Sequence, residues 1–182
     1  MWRLIVSLML LPCLAFGQPV ADKRALLDKM LDALGTAPNE QIAAGLEEKI
    51  TRSWVEASTP AVTLLMSAGL RKLGAKAPDD AIEIFNDALL LDPTLAEAWH
   101  QRGTARYLSG DLPGAIRDIQ ETLKLEPRHF AAWRTLTRIA EGRDDWKAAY
   151  DAWRHVLAID PRTPKGEERL KDLKRKAFGD NT

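Results

Sequence analysis

Residues of one kind return every 34 positions through the middle and C-terminal thirds of this chain. Ala81, Ala115 and Ala149 share that spacing, as do Pro93, Pro127 and Pro161, and Leu89, Leu123 and Leu157. The acids Asp92, Glu126 and Asp160 precede the three prolines, Trp99 is matched by Trp133, and Gly69 by Gly103. A helix pair of this length cannot bury its apolar face alone, so neighbouring pairs must stack into one continuous core. The period predicts an all-α solenoid and a binding scaffold.

The breaks between elements follow from local chemistry. Repeats are expected over 60–93, 94–127 and 128–161, each closing on an acid–proline step, because the residue before proline is biased away from helical backbone. Within them, turns are expected near Gly74 to Pro78, at Ser109-Gly110-Asp111 and at Gly142 to Asp145. Ahead of the repeats, residues 22–57 read as a divergent helix pair, with Asn39 suited to cap its second helix. Terminal repeats are usually atypical, so this pair is expected to cap the first repeat. Residues 164–177 read as a C-terminal capping helix, with Leu170, Leu173 and Ala177 inward and its lysines in solvent.

Residues 1–17 have the order of a secretory signal peptide: one basic residue, an apolar run, then Ala15-Phe16-Gly17. The run is short and interrupted by Pro12, whereas a retained anchor needs about 20 apolar residues. Export to the periplasm with cleavage near Gly17 is the expectation, and membrane contact is confined to that leader. Cys13, the only cysteine, would leave with it, so the mature chain would lack disulfides and thiolate sites. The 26 basic residues match the 26 acidic ones, which gives nucleic acid no global field to follow.

The set Ala98-Trp99, Gly103, Tyr107, Gly110-Asp111, Ala115-Ile116, Leu123 and Glu126-Pro127 resembles the tetratricopeptide repeat (TPR) family. Trp133, Leu136, Ala149, Trp153 and Pro161 form a second copy, with Thr137 in place of the glycine, and Gly69, Ala81, Phe85, Ala88 and Asp92-Pro93 a third. The strings Glu97 to Thr104 and Leu125 to Phe130 look like small exported TPR proteins of alphaproteobacteria. The resemblance implies a right-handed superhelix whose first helices line a concave groove for an extended peptide or a helix. Carried across residue by residue, that groove would present Met66 and Leu70 at an apolar end, Glu97, His100, Thr104 and Tyr107 in the middle, and Arg134 and Arg138 at a basic end. A peptide with hydrophobic residues and an acidic group would suit it. Met66, Leu70 and Gln101 occupy places where chaperone-tail clamps of this family set lysine, asparagine and arginine, which argues against such a clamp.

Trp99, Gly103, Ala115, Pro127, Trp133 and Ala149 are expected to be structural. Arg102 stands where these repeats normally bury an aliphatic residue. A buried arginine needs a partner, and Asp118 in the same repeat is the first candidate, with Glu126 next. His100, His129 and His155 lie on different predicted helices without zinc-type spacing, so neither a metal nor another cofactor is expected. His129 is placed to pack or to cap a helix. No phosphate loop, nucleophile triad or zinc-protease string appears, and Asp79-Asp80 and Asp144-Asp145 read as helix caps. The expectation is a non-catalytic adaptor binding a protein or peptide; the alternative is a structural accessory subunit of an envelope complex that works through its solenoid ends.

Overall fold

The structure, a computed structural model, describes residues 18–56 and 58–179. The leader and the junction at residue 57 lie outside the described residues. Among those described there are nine helices: α1 (Gln18–Gly35), α2 (Glu40–Val55), α3 (Pro60–Gly74), α4 (Pro78–Leu91), α5 (Ala96–Ser109), α6 (Leu112–Leu125), α7 (Phe130–Glu141), α8 (Trp146–Ile159) and α9 (Gly166–Phe178). From α3 onward each helix packs on the next, giving an all-α solenoid of stacked helix pairs.

Caps and turns fix the starts. Ile42 N–H donates to Asn39 Oδ1 at 2.9 Å, Val62 N–H to Thr59 Oγ1 at 3.4 Å, Gly114 N–H to Asp111 Oδ1 at 2.9 Å and Ala148 N–H to Asp145 Oδ1 at 3.1 Å. Each bond satisfies an orphan donor of a first turn. Asp79 and Asp80 do not cap α4: they sit inside its first turn behind Ala77, where their charge meets the helix dipole, and Asp80 pairs with Lys72. Gly110 closes α5 in left-handed backbone, φ 91°.

The repeated small residues set the helix spacing. Ala81, Ala115 and Ala149 are fully buried. A Cβ on Gly69 would lie 2.4 Å from the Phe85 ring, and one on Gly103 would lie 3.1 Å from Asp118 Cβ. In the third repeat Thr137 replaces the glycine and turns its hydroxyl back to Trp133 O at 2.9 Å, so the larger residue is buried without an unmet donor. Trp99 and Trp133 do more than fill space: their Nε1–H groups donate to Pro93 O at 2.8 Å and Pro127 O at 3.0 Å, tying each first helix to the proline loop before it.

The N-terminal pair departs from the expectation that it caps the first repeat. Leu27, Leu31, Leu34, Ala43, Ile50 and Trp54 form their own core, which closes on Phe130, Ala131 and Ile159 of the third repeat. The hairpin therefore folds back along the rim of proline loops. Polar contacts accompany this apolar packing: Arg128 reaches Asp32 at 2.7 Å, Arg24 reaches Glu126 at 2.8 Å, and Arg162 Nε–H donates to Ala37 O at 3.1 Å.

Candidate functional site: the half of the groove left open

The folded-back hairpin changes the standing of the groove residues. Glu97 and His100, placed by the sequence on an open groove, are buried beneath it. Met66 was placed there too, yet it is fully buried: its flexible side chain joins Val62, Phe85, Leu95 and Ala98 between the first two repeats, with Leu70 packed alongside. The apolar end of the expected groove is thus core. Arg134 is half-buried and committed: it donates to both carboxylate oxygens of Glu47 on α2, to Thr163 and, at 3.2 Å, to Asp160. Thr104, Tyr107 and Arg138 remain on the open side, with Arg138 exposed.

Under the hairpin His129 of the third repeat meets Glu97 and His100, which are neighbours on one face of α5. Glu97, His100 and His129 place one ligand atom each within 4.8 Å of the others. His129 Nδ1 accepts from Ala132 N–H at 3.1 Å, capping α7, and this assigns the ring hydrogen to Nε2, which donates to Glu97 Oε2 at 2.8 Å. A metal on Nε2 would force the hydrogen onto Nδ1, facing the Ala132 N–H head-on. The set therefore fits a hydrogen-bond network and does not fit a metal. Gln101 donates to the other oxygen of Glu97 at 2.6 Å, and Thr135 Oγ1 lies 3.3 Å from His100 Nε2.

Burial alone would push the Glu97 carboxyl up, but the two imidazoles outweigh it and hold the pKa well below the carboxylate range. For His129 burial is the largest influence and lowers its pKa; the hydrogen bond that it donates to Glu97 offsets this only in part. At the other end of the hairpin, burial and the neighbouring Glu47 raise Asp160 to about 6, while Arg134 and Asp160 hold Glu47 below its ordinary value against its own burial.

Arg102 is held inside the second repeat. Its Nε–H and Nη2–H donate to Asp118 at 2.9 and 2.8 Å, Nη1–H to Asn86 at 2.9 Å, and Arg106 adds a further bond to Asp118 at 2.9 Å. Its guanidinium also lies 4.7 Å from the Trp99 ring centroid. This pairing fixes α5 against α4 and α6 and takes Arg102 out of recognition.

What stays open is a cleft of about 360 Å³ between α5, α7, α8 and α9, lined by Thr104, Arg134, Thr135, Arg138, Trp153 and Arg169 among others. Arg169 comes from α9, which the sequence offers as a C-terminal capping helix. Nothing in the spacing of the repeats points to it. A volume of this size suits a few residues of a ligand.

A chain of stacked helix pairs with a groove on its first helices is a helical solenoid. The chain has the fold of tetratricopeptide-repeat (TPR) domains and is similar in sequence to proteins that carry them. A TPR repeat-containing protein of Rhizobium etli is 26% identical over 156 residues, spanning 86% of this chain and 76% of that protein. Tetratricopeptide repeat protein 36 of Homo sapiens is 35% identical over 81 residues, and there the match spans 40% of this chain and 43% of that protein. Among solved structures, MamA superposes with a TM-score of 0.60 at 18% identity, covering 87% of this chain and 85% of that one. The first TPR of Spaghetti, bound to an HSP90 peptide, gives a TM-score of 0.58 at 16% identity over 63% of this chain and 90% of that one. No protein-family model matches the chain.

Proposed function

We propose that this protein is a non-catalytic, exported TPR scaffold that acts in the periplasm and holds a protein or peptide partner in the open half of its groove. The observation that carries the reading is Arg138, an exposed guanidinium in a cleft shared by two neighbouring repeats, with no carboxylate partner among the described residues. The likeness to a TPR domain that carries an HSP90 peptide supports a peptide-sized partner. Met66 and Leu70 at two clamp positions turn the reading away from a chaperone tail. The leader supports export, and a cleft lined by arginine, threonine and tryptophan supports binding over catalysis.

The test is affinity capture of the full chain from its own cells after crosslinking, with Arg138→Glu run beside it. Arg134 is unsuitable for this purpose because reversing it would also release the hairpin. A partner lost in Arg138→Glu supports the groove; a partner retained removes it.

The second reading, a structural subunit working through a solenoid end, is favoured by the apolar residues of the first repeat. Leu64 is 68% exposed and Leu90 82% exposed, because the hairpin that would have covered this repeat lies elsewhere. Partners retained in Arg138→Glu and lost in Leu64→Glu support that reading.

A further inference from the structure

We propose that the uncovered face of the first repeat pairs with the same face of a second copy of this chain. The inference goes beyond the groove reading and does not depend on it. Ala61, Leu64, Ala68 and Lys72 follow one another at three- and four-residue steps, so they form one stripe of α3. Asp80, Glu83, Asp87 and Leu90 do the same on α4, with Leu91 beside them. Lys72 Nζ lies 2.7 Å from Asp80 Oδ2, which sets both stripes on one side of the helix pair. All of these residues are exposed except Ala68, which is half-buried. The N-terminal hairpin, which could have covered them, closes on the third repeat instead.

The first support for a second copy is charge. Residues 60–74 hold Arg71 and Lys72 and no acid, whereas residues 78–91 hold Asp79, Asp80, Glu83 and Asp87 and no base. A face divided in this way is complementary to itself. A two-fold axis running along the helices lays α3 of each copy over α4 of the other. The basic last turn of α3 then meets the acidic first turn of the second α4, and Leu64 approaches its Leu90–Leu91 end. The opposite rotation would set charge on leucine.

The second support is the other end of the solenoid. There α9 turns Glu167, Glu168, Lys171 and Lys174 outward. Stacking head to tail would press the leucines of one copy onto those charges and strip their solvent without return. A closed pair is the arrangement that remains. The face is about 20 Å long and two helix widths across, so pairing buries about 1,000 Å² in all, which suits a reversible dimer rather than a permanent one.

The experiment is sedimentation equilibrium of the full chain, from about 1 μM to about 0.5 mM at physiological salt. The expected result is a mass that rises from one chain to two with concentration. Leu64→Glu should raise the dissociation constant at least about tenfold. Arg71→Glu with Lys72→Glu should do the same, as should Asp80→Lys with Glu83→Lys. The two charge-reversed chains should pair again when mixed, because each supplies the sign that the other lacks. Helical content equal to that of the parent chain checks that the variants fold. A single-chain mass at every concentration, a dimer untouched by these substitutions, or reversed chains that stay apart when mixed overturn the proposal. A chain that stays single yet loses its cellular partner in Leu64→Glu would leave the leucines to the structural-subunit reading.

Discussion

The Trp54 indole lies face to face with the His129 imidazole, ring centroids 4.0 Å apart and planes 9° from parallel. The stack joins the end of the N-terminal hairpin to the start of α7, and it covers the Glu97–His129 bond from solvent. Trp54→Ala should therefore loosen the hairpin without melting the repeats. Truncating a buried tryptophan costs about 3–5 kcal/mol, so amide protection across α1 and α2 should fall about a hundredfold or more. Hydrogen exchange followed by mass spectrometry reads this directly, with α6 as the internal control; equal loss in α6 would mean that hairpin and solenoid unfold as one unit.

Stability should depend on pH through three groups, two of which oppose the third. His129 has a pKa below its ordinary 6.5, so the unfolded chain binds the proton first and stability is lost as pH falls through that value. Glu97, held below its ordinary 4.5, adds further loss in the same direction at lower pH. Asp160, raised from 3.8 to about 6, works the other way: the folded state keeps its proton longer, so its contribution is full below 3.8 and lost as pH rises through 6. Urea midpoints measured across this range should fall more steeply toward acid in Asp160→Asn than in the parent chain. In His129→Gln the trend between about pH 5 and 6 should invert.

Arg102 and Arg106 share one buried acceptor, Asp118. Removing that acceptor leaves Arg102 with the neutral Asn86 at 2.9 Å and Arg106 with Asp111 at 3.8 Å, whereas removing Arg102 leaves Asp118 still paired with Arg106. Asp118→Ala should cost about 3–5 kcal/mol and Arg102→Ala clearly less. Chemical denaturation of the two variants and their double mutant checks the order, and a strongly non-additive cycle is expected.

Two glycines should respond to alanine with opposite signs. Gly69 faces the Phe85 ring at a hypothetical Cβ distance of 2.4 Å, so Gly69→Ala should destabilise by about 1–3 kcal/mol through overpacking. Gly45 lies within α2 with nothing within 4 Å of that position, so Gly45→Ala should stabilise by about 0.5–1 kcal/mol. Thermal melts of the two variants separate them; a stable Gly69→Ala would mean that the first repeat is looser than its packing indicates.

The solenoid is legible in the chain because each rule that builds it acts within about one repeat. Pro127 stops a helix beside its own neighbours, Gly103 meets Asp118 and Ile119 on the next helix, and Arg102 and Asp118 are 16 positions apart. Local capping, a fixed period and close packing of adjacent helices are all short-range, so a single sequence suffices to infer them. The histidine cluster was not legible. His100 and His129 fall on different helices, and only the stacking of two repeats carries them to one point.

The hairpin's destination marks the boundary most clearly. The chain by itself determined an amphipathic helix pair ahead of three repeats, and that pair had to bury its leucines against something. Only the tertiary structure decided where, through contacts such as Glu47 to Arg134, 87 positions apart, and Arg162 to Ala37, 125 apart. Apolar burial is non-directional and favours any complementary surface. The apolar, stacked and charged contacts that meet on the third repeat place the pair there, and with it the half of the groove that stays open.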